Sequence, residues 1–366
     1  MNRREFLATT TAGLAWTQLT QGASPRHLLY VATPGIRNYV EYGGIGLVVF
    51  DIADNYRFVR RIPTWEVAPG AQPENVKGVA ANAATGRIFV STIKRIACWD
   101  LRTDRKLWEN APAGGCDRMA LSPDGKTLYV PSLEGLHWHV LDAATGEIIT
   151  KIVTGDGAHN TIYGPNGARV YLASLRSTSL SVADTRTHTV VQQVGPFTRP
   201  IRPFTINGAQ TRVYVNINEL LGFEIGDLTT GKMLRRVEVE GYKPGPVKRH
   251  ACPSHGIGLT PDESQIWLCD GHNSALHVFE NAAGDSPKQI ATIPVRDQPG
   301  WVSFSLDGAR AYSSSGEIFD VKTRKLVAAL EDEQKRQVGS EKLVEIVFDG
   351  DTPVRATDQF GLGARR

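Results

Sequence analysis

The chain is poor in everything that would name a chemistry outright. Among its 366 residues are only four cysteines and three methionines, and aromatic residues make up 8%. It contains no complete P-loop, dinucleotide-binding glycine fingerprint, nucleophile elbow or CxxCH segment, so none of those signatures points to a reaction. No apolar run reaches the roughly 18 residues needed to span a bilayer as a helix. The formal net charge is only +3, with 22% charged residues. That balance carries neither the basic excess expected of a nucleic-acid-binding protein nor the charge of a disordered chain. What the chain does have is turn formers, 36 glycines and 20 prolines, spread along its length.

The first residues stand apart. MNRREFLATTTAGLAW places Arg3-Arg4 ahead of Phe6-Leu7 and a weakly apolar stretch rich in alanine and threonine. This resembles a twin-arginine export signal, here taken as residues 1–23, which implies a periplasmic or secreted protein that crosses the membrane already folded. Export would permit disulfides, and four cysteines allow three complete pairings. Cys252 and Cys269 flank one predicted hairpin and form the candidate bridge, whereas Cys98 lies mid-strand and is expected to be a buried thiol.

The rest of the chain repeats itself. MALSPDGKTLYVPSLEGLHWHVLDAATGEIITKI (119–152) and TIYGPNGARVYLASLRSTSLSVADTRTHTVVQQV (161–194) share one order: strand, turn, strand, loop, strand, turn, strand. Further copies occupy 79–109, 204–237, 257–293 and 302–330. The ends complement one another. HLLYVATPG and GLVVFDIADNYRFVRRI supply three strands that lack a first, and KLVEIVFDGDTPV (342–354) matches the missing one. Four-stranded units at this spacing predict an all-β, seven-bladed β-propeller over residues 24–366, its first blade closed by the C-terminal strand.

On the segments YVPS (129–132), VYLAS (170–174) and YVNI (214–217), with the SPDGKTLYV and AATGE turns, the chain resembles the YVTN-type seven-bladed propellers. These belong to the broader group that includes quinoprotein amine dehydrogenase β-chain-like and lactonase-like propellers. No copy reads Tyr-Val-Thr-Asn in full. The resemblance implies the fold and leaves function open between enzymes, binders and redox accessories.

Topology separates structural residues from spare ones. The tight turns all fall on one face, where Gly, Asn, Asp and Pro serve backbone dihedrals. Counting six residues back from the first-turn proline position in each copy lands on Lys77, Asp117, His159, Arg202, His255, Gly300 and Lys342. These positions should ring the mouth of the central channel on the opposite face. His272 is expected on the rim, and Arg199 and Arg249 lie on adjacent basic linkers beside Lys243 and Lys248. Arginine suits bidentate recognition of carboxylate or phosphate, so a small anionic ligand or a partner's segment is the leading expectation, with a monomer as the binding unit. The alternative is a lactonase-like hydrolase or a lyase with His159 and His255 as acid and base, since imidazole titrates near neutrality. His159, His255 and Asp117 are also the candidate metal ligands. His137 and His139 of GLHWH fall within a predicted strand. No cofactor is specified.

Overall fold

The structure, a computed structural model, describes residues 25–155, 157–281 and 285–365. The expected signal segment, residues 1–23, lies outside the described residues. The described residues form seven antiparallel sheets, six of four strands and one of five. The sheets are arranged as the blades of a β-propeller. Blade 2 runs Val76–Asn82, Arg87–Thr92, Ile96–Asp100 and Lys106–Asn110, and blades 3 to 7 repeat that order up to Leu326–Ala329. Among the described residues, no helix is long and apolar enough to cross a membrane.

Blade 1 is composite. Its second to fourth strands are Arg26–Thr33, Gly46–Asp51 and Arg57–Ile62, while its first is Leu343–Asp349, paired antiparallel with Arg26–Thr33. A short extra strand, Thr352–Ala356, turns back on the inner side of Leu343–Asp349, so residues 352–354 pair there rather than ending a turn.

Alternation explains the packing. In each blade the second and third strands are buried on both faces and the fourth is half exposed, as in Ile148–Val153. Seven apolar clusters follow, one at each junction between neighbouring blades: Val49 and Tyr30 meet Val79 and Val90 between blades 1 and 2, and Tyr312 and Ile318 meet Val48 and Phe50 between blades 7 and 1. The recurrent aspartate that ends the third strand has a local task. Asp100, Asp142, Asp184 and Asp227 each accept backbone N–H bonds from residues two and three ahead, folding the last turn of the blade.

Residues 359–365 then run along the channel axis. Gln359 receives the Val79 N–H (3.2 Å) on its side-chain oxygen and donates to the Met119 carbonyl (2.8 Å), tying blade 2 to blade 3. Its own carbonyl accepts from the Trp301 indole N–H in the loop entering blade 7. Leu259 donates to Gly361, Gly363 to Ile206 and Ala364 to Pro261, so the tail also binds blades 5 and 6. Gly361 fits because it has no side chain; a Cβ there would lie 2.9 Å from Gly258 Cα and from the Phe304 ring. The tail therefore bonds to the inner strands on the side nearer the tight turns, away from the mouth.

A buried amide that satisfies two buried backbone groups in different blades is costly to remove. Gln359→Ala should destabilise the propeller by about 2–4 kcal/mol, one desolvated group on each side, in equilibrium urea unfolding. A loss below about 0.5 kcal/mol would mean that the tail does not tie the ring.

Candidate functional site

Inner strands packed side by side would ordinarily present small apolar side chains to the axis. The mouth departs from that through a repeated backbone irregularity. The antiparallel register of the inner strand slips between Val76 and Gly78, between Ala158 and Asn160, between Ile201 and Phe204, and between Ser254 and Ile257. The residues left out of register include Lys77, His159, Arg202 and His255. A β-bulge leaves its extra residue unpaired and re-aims its side chain, so these four blades each turn one side chain into the mouth. Asp117 and Lys342 stand just before the inner strands of blades 3 and 1.

Lys77, Asp117, His159, Arg202, His255 and Lys342 thus line one cavity of about 140 Å³. The seventh counted position, Gly300, contributes its carbonyl, which accepts from His255 Nδ1 at 2.9 Å. That bond leaves His255 Nε2 as the nitrogen available to the pocket. Further lining residues outside the counted positions include Arg37, Arg118, His250 and Glu341. Arg118 and Glu341 each adjoin a counted position in sequence, so reading one residue to either side would have found them. His250 sits on the linker that already stood out as basic.

The charges are interlocked. Asp117 Oδ2 lies 2.6 Å from His159 Nδ1, and its Oδ1 lies 3.1 Å from Lys77 Nζ. Burial alone would raise the Asp117 carboxyl, but His159 and Lys77 outweigh burial and hold it at about 2. Burial lowers His159 despite its aspartate partner, so the ring is predominantly neutral near pH 7, with Nδ1–H donated to Asp117. Glu341 is the second anionic centre. Its Oε2 lies 3.2 Å from Arg118 Nη2 and 3.0 Å from Lys342 Nζ, while Oε1 lies 2.8 Å from His250 Nε2. Burial presses the Lys342 ammonium down to about 7 and the Arg118 guanidinium to about 10. Arg118 also lies 3.4 Å over the Trp301 ring, which packs on Phe360 of the tail, so cation, indole and tail stack in succession.

The remaining expected residues are taken up by other partners. Arg199 is exposed and pairs with Glu219, away from the cavity lining. Arg249 lines the cavity but turns inward, bonding Tyr42 and Asp297 and the Gln298 carbonyl. His272 meets the Pro246 carbonyl at 3.2 Å on the rim. Asp117 serves His159 and Lys77. Among the described residues, the trio whose ligand atoms come within 4.8 Å of one another is His250, His255 and Glu341. Cys98, Cys116, Cys252 and Cys269 are all free and buried, so the expected Cys252–Cys269 bridge is not formed in this structure. His137 and His139 belong to the third strand of blade 3 and do not line the mouth.

No protein-family model matches the chain, and no curated protein matches it. Among solved structures, a chain of Kuenenia stuttgartiensis hydrazine synthase superposes with a TM-score of 0.59 at 15% identity, covering 80% of this chain and 99% of that one. The likeness is one of fold. Chemistry has to be read from the mouth itself.

His139 supplies a pH test separate from the mouth. It is fully buried, and burial lowers its pKa to about 4. The unfolded chain takes up this proton near 6.5 while the fold refuses it, so stability falls as pH drops from 6.5 towards 4. His139→Leu should remove about 2–3 kcal/mol of that acid-dependent loss, seen by comparing urea midpoints at pH 7 and pH 4.5. An unchanged difference between the two midpoints would contradict the assignment.

Proposed function

We propose that this protein is a binding propeller whose mouth takes a small oxyanion of the carboxylate or phosphate class. One observation carries the reading. Six cationic side chains line the cavity against three carboxylates, and Arg202 faces it with no acid partner among the described residues. Its Nε donates to Asn218, which fixes the guanidinium while leaving its charge uncompensated. An arginine held this way presents a preformed fork to a carboxylate or phosphate. Lys77 lines the same cavity and has one carboxylate partner, Asp117.

A second reading rests on the Asp117–His159 pair. A carboxylate bonded to Nδ1 sets the tautomer and leaves Nε2 to accept a proton, the arrangement of a general base. Under that reading the bound anion is a substrate, and a hydrolase or lyase at the same mouth is the alternative. A redox accessory role, the third reading, rests on the fold resemblance and the Arg3-Arg4 segment. The Arg3-Arg4 segment supports placing the protein outside the cytoplasm, and fusing residues 1–23 to a reporter that matures only after export tests that placement.

Thermal shift and titration calorimetry with phosphate, oxalate and citrate should find an anion that stabilises the fold. Arg202→Ala should weaken it about tenfold or more with the melting temperature of the free protein little changed. Equal affinity in the variant would overturn the reading. If turnover of a bound anion is found, loss of turnover with retained binding in His159→Asn would favour the enzyme.

A further inference from the structure

The mouth contains a second constellation that anion recognition does not use. His250 and His255 stack face to face with ring centroids 3.8 Å apart and planes 13° from parallel. Beside them stands Glu341, and one ligand atom from each of the three lies within 4.8 Å of the others. We propose that His250, His255 and Glu341 form a binding site for a divalent transition metal of the zinc class.

Each donor is held as a ligand would be. His255 donates Nδ1–H to the Gly300 carbonyl, which fixes the tautomer and leaves Nε2 as an acceptor. Metal-bound histidines are commonly anchored in this way by the opposite nitrogen. Glu341 divides its oxygens: Oε2 takes Arg118 and Lys342, while Oε1 is left to face His250. His250 Nε2 is buried, and although it lies 2.8 Å from that oxygen the contact lacks hydrogen-bond alignment. A buried imidazole nitrogen and a carboxylate oxygen 2.8 Å apart are two donors facing a shared point.

Gly300 supplies an independent indication. A Cβ at this position would lie 2.2 Å from His250 Nε2 and 2.3 Å from Glu341 Oε1. Its φ lies outside the left-handed region, so the backbone does not require glycine here. The missing side chain makes room for those two ligand atoms. Two imidazoles and a carboxylate form a donor set used in open zinc sites, where a further position is left to water or substrate. Parallel rings direct their lone pairs alongside one another, so one ring must turn to share an ion. His250 can turn, because it sits on the linker entering blade 6 with no aligned bond at Nε2, whereas Gly300 pins His255.

The test uses the full chain, stripped with chelator and dialysed. Titration with Zn²⁺ should show one ion bound per chain, and Co²⁺ should give visible absorption bands of a site with nitrogen and oxygen donors. His250→Ala and His255→Ala should each weaken binding at least a hundredfold, and Gly300→Ala should do the same by filling the space between the donors. Circular dichroism verifies that each variant is folded; His250 lies on a linker, so His250→Ala provides the reading if a buried variant does not fold. Failure to bind Zn²⁺, or binding unchanged in His250→Ala, would overturn the proposal. Anion titration of the stripped protein keeps the two readings separate. Arg202-dependent anion binding without metal would leave the oxyanion reading standing even if no metal site exists.

Discussion

Seven inner strands facing one axis leave a space between them that has to be filled, and this chain fills it differently at its two ends. Towards the tight turns the filling is backbone and aromatic surface: Gln359, Phe360 and Gly361 bond or pack against five of the seven blades. Towards the mouth it is charged side chains. Those charges can be buried only because they hold one another in place, Asp117 between Lys77 and His159, and Glu341 among Arg118, Lys342 and His250. The tail closes one end, and the charge lattice keeps the other end open and polar.

The bulges connect fold to site. A strand in perfect register alternates its side chains between the faces of its own sheet, towards the neighbouring blades, and has no reason to present a long polar group to the axis. One extra residue at the mouth end changes the direction of a single side chain without disturbing the buried ladder beyond it. Lys77, His159, Arg202 and His255 all occur at such a slip. The apolar clusters between blades and the polar cluster at the mouth are therefore built by different residues and vary independently. That is the physical reason a stable propeller can carry almost any chemistry at its opening.

This division also decides how much was legible in the sequence. Blade number and the composite first blade were readable because the turns recur, and the mouth positions because they lie at a constant distance from those turns. Arg37, Arg118, His250 and Glu341 escaped the count because each lies outside the repeated position and is brought inward by tertiary packing. Arg249 reads as a free linker cation but is drawn inward by Asp297 and Tyr42. The axial course of QFGLG was not legible at all. Its residues have no strand period, and their partners belong to blades far away in sequence.

That distance has a consequence for the order of events in folding. Ser340 bonds the carbonyl of Ala32 across 308 residues, and the inner strand and axial tail come from the same late stretch of chain. Closing so long a loop carries a large entropic cost that only the finished contacts offset. Until residues 343–349 are in place, the edge of Arg26–Thr33 lacks its inner partner and is open to a stray strand. Circularity depends on that one pairing. A chain without that pairing would present an adhesive edge and, with Glu341 and Lys342 out of position, an incomplete mouth.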